Sequence, residues 1–282
     1  MGKVILAENA GFCFGVQRAV EEALKVKNKF NKKIYTLGPL IHNNDVVKYL
    51  EKNDIFAVSY DEIDTLSEGD VILIRSHGVS KDVMENLEKN KLIVVNATCP
   101  YVTNIHKKVS KYSDLGYNIV ILGDDKHPEV IGINGWCKNS AIVTKNGVFE
   151  EKIPNKICVV SQTTEKEETW KKTVSNLSAS SKELLAFNTI CSATEVRQKS
   201  ASELAKIVDI MIVIGGKNSS NTTKLYQISK EHCPNTIHIE NSKELTSEFI
   251  ENNKNKTVGI TAGASTPDWI IKEVMDIMEG KI

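Results

Sequence analysis

Three cysteines, Cys13, Cys99 and Cys191, stand where apolar runs break into short polar loops, in the settings GFCFG, NATCPYVTN and NTICSATEV. Their spacing is nearly even: 99 − 13 = 86 residues, then 191 − 99 = 92. No C-x-x-C occurs, so this is neither a zinc ribbon nor a ferredoxin-type ligand run. Three distant thiols of this kind fit one shared metal or cluster at the meeting point of three similar lobes. Three protein ligands leave open the fourth position that a catalytic centre keeps. Thiolate ligation favours iron–sulfur or zinc over magnesium or calcium. The competing reading of any lone cysteine is a small buried hydrophobe. Cys158, inside the strand KICVVS, takes that reading, and Cys137 and Cys233 lie incidentally among turn residues.

Three histidines, His42 in LIHNND, His77 in RSHGVS and His127 in DKHPEV, also occupy loops at strand ends. Together they fit an anionic ligand or, alternatively, a metal. His106 falls mid-helix and His238 mid-strand, both structural or solvated, and His232 reads as surface. The loops SQTT (161–164), GGKNSSN (215–221) and TAGAST (261–266) combine glycine with neutral hydroxyl and amide donors. Each alone is a helix N-cap; together they fit a phosphate cradle built from backbone N–H groups and helix dipoles. Neither G-x-x-x-x-G-K-[ST] nor G-x-G-x-x-G is present, which argues against nucleotide binding by those modes. Glu129, two residues after His127, is either a first-turn glutamate favoured by the helix dipole or a proton donor.

These residues need elements to hold them. An apolar strand, a polar loop and an amphipathic helix recur along the whole chain, the pattern of a parallel α/β protein. VILI, NIVIL and IMIVIGG are apolar throughout, as in strands covered on both faces, and loops after strand carboxyl ends gather on the edge where ligands bind. The cysteine spacing divides the 282 residues into three α/β lobes, 14–97, 98–190, and 1–13 with 191–282, the first strand completing the last sheet. Lys+Arg and Asp+Glu are equal at 36 each, which argues against a general nucleic-acid-binding surface. Residues 1–8 read as a strand and not a signal peptide, and no run approaches a transmembrane length. The expected compartment is the cytoplasm, where thiols stay reduced.

GFCFGV, HNNDVV, SHGVS, NATCPYVT, GDDKHPEV, SQTT, CSAT, GGKNSSNT and VGITAGASTPDW, nine motifs in order from Cys13 to Trp269, together resemble the 4-hydroxy-3-methylbut-2-enyl diphosphate reductase (LytB) family. No functional position departs from that pattern. The resemblance implies a three-lobed cloverleaf around one [4Fe–4S] cluster, held by Cys13, Cys99 and Cys191 with the fourth iron open to substrate. It implies an allylic diphosphate substrate reduced to isopentenyl and dimethylallyl diphosphate, with ferredoxin or flavodoxin as electron donor. By motif, His42, His77, His127, Ser219, Ser220, Asn221 and Ser265 would bind the diphosphate. Thr163 and Glu129 would lie near the hydroxyl, with Glu129 serving proton delivery. Two rivals to this reading are a zinc-dependent hydrolase of a phosphorylated substrate and a non-enzymatic iron–sulfur redox sensor.

Overall fold

The computed structural model describes residues 2–281. Its strands form three four-stranded sheets, and every pairing among the described residues is parallel. After β1 (Val4–Leu6) and α1 (Phe14–Phe30), the first sheet is made by β2 (Ile34–Leu37), β3 (Ile55–Val58), β4 (Val71–Ile74) and β5 (Ile93–Asn96). Helices α2 (Asn44–Glu51) and α3 (Lys81–Lys89) connect its strands. Helix α4 (Pro100–Asp114) leads to the second sheet, β6 (Asn118–Leu122), β7 (Ile142–Thr144), β8 (Lys156–Ser161) and β9 (Glu183–Ala186), connected by α5 (Pro128–Gly135) and α6 (Glu167–Ser180). Helix α7 (Ser192–Ala205) opens the third, with β10 (Ile210–Ile214), α8 (Ser220–His232), β11 (Thr236–Ile239), α9 (Ser247–Asn253), β12 (Val258–Ala262) and α10 (Asp268–Met278).

The strand orders are β3-β2-β4-β5, β7-β6-β8-β9 and β11-β10-β12-β1. They are one topology three times, with β1 as the last strand of the third copy. Apart from exposed Asn118 at the start of β6, the central strands β4, β6, β10 and β12 are buried along their length, because parallel crossovers place helices on both faces. In β6 the alternation is explicit. Ile119 and Ile121 pack with Val109 and Ile133 on one side, and Val120 and Leu122 pack with Trp170 and Leu177 on the other. The sequence pattern does not single out β3 or β7. Each is a three- or four-residue outer strand, only partly buried, too short to show a period.

Two compact units result. One comprises the residues up to Gln17, Ile41–Lys48 and everything from Ser192 onward, and contains the third sheet; the other comprises Arg18–Leu40 and Tyr49–Cys191, with the first two sheets.

Candidate active site

The repeat explains where each thiol lies. Cys99 is the N-cap of α4, and Cys13 and Cys191 immediately precede α1 and α7, each following the last strand of its sheet. All three are anchored alike. Cys13 N–H donates to the Ala264 carbonyl (3.2 Å), Cys99 N–H to Ser76 (2.9 Å) and Cys191 N–H to Thr163 (3.0 Å), each acceptor two residues beyond β12, β4 or β8. Val16 N–H reaches Cys13 Sγ at 3.4 Å. All six cysteines are free, and these three are half-buried. The others are core: burial pushes the Cys137 thiol up to about 11 and the Cys158 thiol up to about 12, and Cys233 is also buried. Cys137 and Cys233 are therefore packed groups and not incidental turn residues. Partly exposed thiols are soft donors of the kind that iron–sulfur clusters take, and Cys13, Cys99 and Cys191 each have that chemistry.

In the unit with two sheets, the loops after β4, β6 and β8 bring His77, His127, Glu129 and Thr163 into contact. Glu129 is only 2% exposed. Thr163 gives it two bonds, N–H to Oε1 (2.6 Å) and Oγ1–H to Oε2 (2.7 Å). Thr163 thus joins the buried Glu129 carboxylate to the backbone of Cys191. His127 caps α5 by accepting Glu129 N–H at Nδ1 (3.1 Å). That bond assigns the proton of the neutral ring to Nε2. The His77 and His127 rings meet edge to face at 5.4 Å. Outside these, Lys145 holds the Asp124 carboxyl below its usual range.

In the other unit, the equivalent loops after β10 and β12 carry no titratable group apart from Lys217. Ser219 Oγ caps α8 by accepting Thr222 N–H (3.4 Å), and Ser220 opens the helix. Asn221 is 5% exposed, yet both polar atoms of its amide lack a partner among the described residues. Buried polar groups are nearly always paired, so this amide has the chemistry of a ligand contact. Ser265 Oγ–H donates to the His42 carbonyl (3.1 Å). Gly216 is required beside it, since a Cβ there would lie 2.5 Å from the same oxygen.

A model of the LytB protein family matches residues 4–279. The chain belongs to the LytB family. It is 64% identical over 272 residues, 96% of each chain, to the 4-hydroxy-3-methylbut-2-enyl diphosphate reductase of Clostridium perfringens. Among solved structures, (E)-4-hydroxy-3-methyl-but-2-enyl diphosphate reductase, the terminal enzyme of the non-mevalonate pathway, aligns with a TM-score of 0.72 at 45% identity, covering 99% of this chain and 100% of that one. The E-1-hydroxy-2-methyl-but-2-enyl-4-diphosphate reductase of Plasmodium falciparum aligns at 0.89 and 28% identity, covering 98% and 87%.

Within each unit, several side chains that anchor these loops have no counterpart among the residues that the sequence singles out. Arg197, 6% exposed, bonds the Gly11 carbonyl in the Cys13 loop (2.8 Å). It shares the buried face of α7 with Thr194, Ala201 and Leu204, and an arginine in that periodic position was the available signal. Trp136 Nε1–H donates to the Val79 carbonyl (2.9 Å) and stacks on His106 at 5.3 Å. His106 is buried under Gly78, whose left-handed φ of +71° keeps the His77 turn against it. Burial lowers its pKa to about 4, so it is a neutral core group and not a solvated one. His232 is exposed, as the sequence implies, and His238 Nε2 bonds the Gly215 carbonyl (2.9 Å). No helix among the described residues is long and apolar enough to cross a membrane.

Proposed function

We propose that this chain is a 4-hydroxy-3-methylbut-2-enyl diphosphate reductase, the last enzyme of the methylerythritol phosphate route to isoprenoids, working in the cytoplasm. It replaces an allylic hydroxyl by hydrogen, consuming two electrons and two protons and releasing water, to give isopentenyl and dimethylallyl diphosphate. One observation carries the reading: Thr163 binds the Glu129 carboxylate through its N–H and hydroxyl while its carbonyl binds Cys191. The carboxyl that would pass the proton and a candidate cluster cysteine are thereby held by a single residue. A [4Fe–4S] cluster on Cys13, Cys99 and Cys191 would supply the electrons and an open Lewis-acidic iron.

The chain's own residues do the rest. Hydroxide is a poor leaving group, and Glu129 delivers the proton that lets it depart as water; the Thr163 hydroxyl, donating to Oε2 at 2.7 Å, holds that carboxyl in place. His127 presents Nε2–H to the diphosphate while its Nδ1 stays on the helix. Asn221, Ser219, Ser220 and Ser265, with His42 and His77, supply the remaining donors. These are mostly neutral groups, strengthened by the N-terminal dipole of α8. We read the three lobes as 14–97, 98–190, and 1–13 with 191–282, each built on one sheet. A ferredoxin or flavodoxin is the electron donor.

The test is anaerobic. Visible spectrum, iron and sulfide are measured, then reduced viologen and the allylic diphosphate are added. A brown protein with about four irons per chain that oxidises viologen only with substrate is expected. A colourless zinc protein would select a hydrolase, and a fully loaded cluster without turnover would select a redox sensor. Cys13→Ser should lose iron and sulfide; a fully loaded, active variant would overturn the ligand assignment.

A further inference from the structure

Two electrons per turnover must come from outside the chain, because the remaining cysteines are buried thiols with raised pKa values and Cys233 is likewise buried. The entry point should therefore be a surface feature touching a cysteine backbone. An open cleft of about 430 Å³ meets this requirement, lined by Arg18, Asn96, Thr98, Pro100, Asn104 and Lys107 among others. Thr98 and Pro100 flank Cys99, so the wall of the cleft is the chain on either side of that thiol.

The lining carries two cations and no carboxylate. Arg18 Nη2 donates to the Thr98 carbonyl (2.6 Å), which fixes the guanidinium beside the cysteine loop; its Nε is buried and unpaired among the described residues. Lys107 is exposed and has no ion-pair partner among the described residues, and α4 has no acidic residue before Asp114. Tyr101, 46% exposed, follows Pro100 on the same helix. A small phosphate would want converging backbone N–H groups, and the cleft offers few. Pro100 has none, Thr98 N–H is bound to Asn96 Oδ1, and Cys99 N–H to the Ser76 carbonyl. Long cations on an open rim suit an extended acidic surface, which they steer and orient.

We infer that this cleft docks an acidic one-electron carrier protein, which passes its electrons inward beside Cys99. The inference rests on the proposed reductase activity. Two reduced carriers are each oxidised by one electron per turnover, and the allylic alcohol with two protons becomes the alkene and water.

The experiment compares two reductants on the iron-loaded enzyme. One is reduced viologen, which needs no docking surface; the other is a ferredoxin kept reduced by its NADPH-dependent reductase. Lys107→Glu should raise the KM for ferredoxin about tenfold or more at low salt, an effect shrinking at high ionic strength, and leave viologen-driven turnover unchanged. Lys89→Glu, on the last turn of α3, should change neither. Equal ferredoxin kinetics in Lys107→Glu and the parent would overturn the docking site while leaving the reductase reading intact. Absence of viologen turnover in the parent would overturn the reductase reading itself. Should Lys107→Glu lose viologen turnover as well, Lys107→Gln takes its place, with a selective rise in ferredoxin KM again required. Inhibition of both reductants alike by inorganic phosphate, relieved by Lys107→Gln, would assign the cleft to a small anion instead.

Discussion

The loop between β6 and α5 and the loop between β10 and α8 occupy the same place in two copies of one topology. Each follows a central strand, begins with a glycine whose N–H bonds the neighbouring strand (Gly123 to Thr144 and Gly215 to Ile239), and ends in a capped helix. Their chemistry is opposite. The first carries His127 and Glu129, whose local hydrogen bonds are made within the chain. The second carries Ser219, Ser220 and Asn221, and there the Asn221 amide has no partner among the described residues. The scaffold fixes position, and residue type assigns the role: a held carboxylate manages a proton, and an unpaired amide binds an anion.

The comparison is broken most severely at Glu129. Glutamine keeps the shape, can still accept from Thr163 N–H and can donate to its hydroxyl, so only the proton is lost. Glu129→Gln should retain the cluster and substrate affinity while kcat falls about 10²–10⁴-fold. Undiminished turnover would remove Glu129 from the reaction.

His106 sharpens the contrast from underneath. Its folded pKa of about 4, against the ordinary imidazole value of about 6.5, means that the unfolded chain binds the extra proton between those values. The associated stability is fully present above about pH 6.5 and is lost as pH falls toward 4, roughly 3 kcal/mol in all at 1.36 kcal/mol per unit. Urea unfolding of the parent and His106→Leu at pH 7 and pH 5 measures this. The parent should lose more stability between the two, and parallel losses would mean that His106 is protonated in the fold.

Asn221 gives a smaller effect with an unusual sign. Replacing a buried, unpaired amide by an apolar group of similar shape is neutral or stabilising, whereas losing a hydrogen bond to a charged ligand costs about 1.5–3 kcal/mol. Asn221→Leu should therefore melt no lower than the parent and yet show a KM raised about 10–100-fold. A destabilised variant with normal KM would make Asn221 a structural residue.

How much of this was legible follows from range. Strand-end thiols, the histidine loops and the buried central strands are local patterns, and the even cysteine spacing carries the threefold repeat. The short outer strands β3 and β7 had no period to read. The shared anchoring of Cys99 to Ser76 and Cys191 to Thr163 is invisible in sequence because backbone carbonyls have no residue signature. Arg197 and Trp136 act across long separations, 186 residues in the first case and 57 in the second, and only a polar group on an apolar helix face hints at either.

Trp136 separates the two loops once more, because the helix that begins at His127 ends at this residue and grips the His77 turn, both within the unit that holds the first two sheets. Its indole N–H binds Val79 and its ring covers His106. Trp136→Phe keeps an aromatic face over the imidazole and removes only the donor, so about 1 kcal/mol of stability should go. If the bond also sets the spacing of the His77 and His127 rings, KM should rise about fivefold for the same energy with kcat unchanged. A fall in stability with KM unaltered would confine Trp136 to packing and leave the histidine spacing to Gly78 alone.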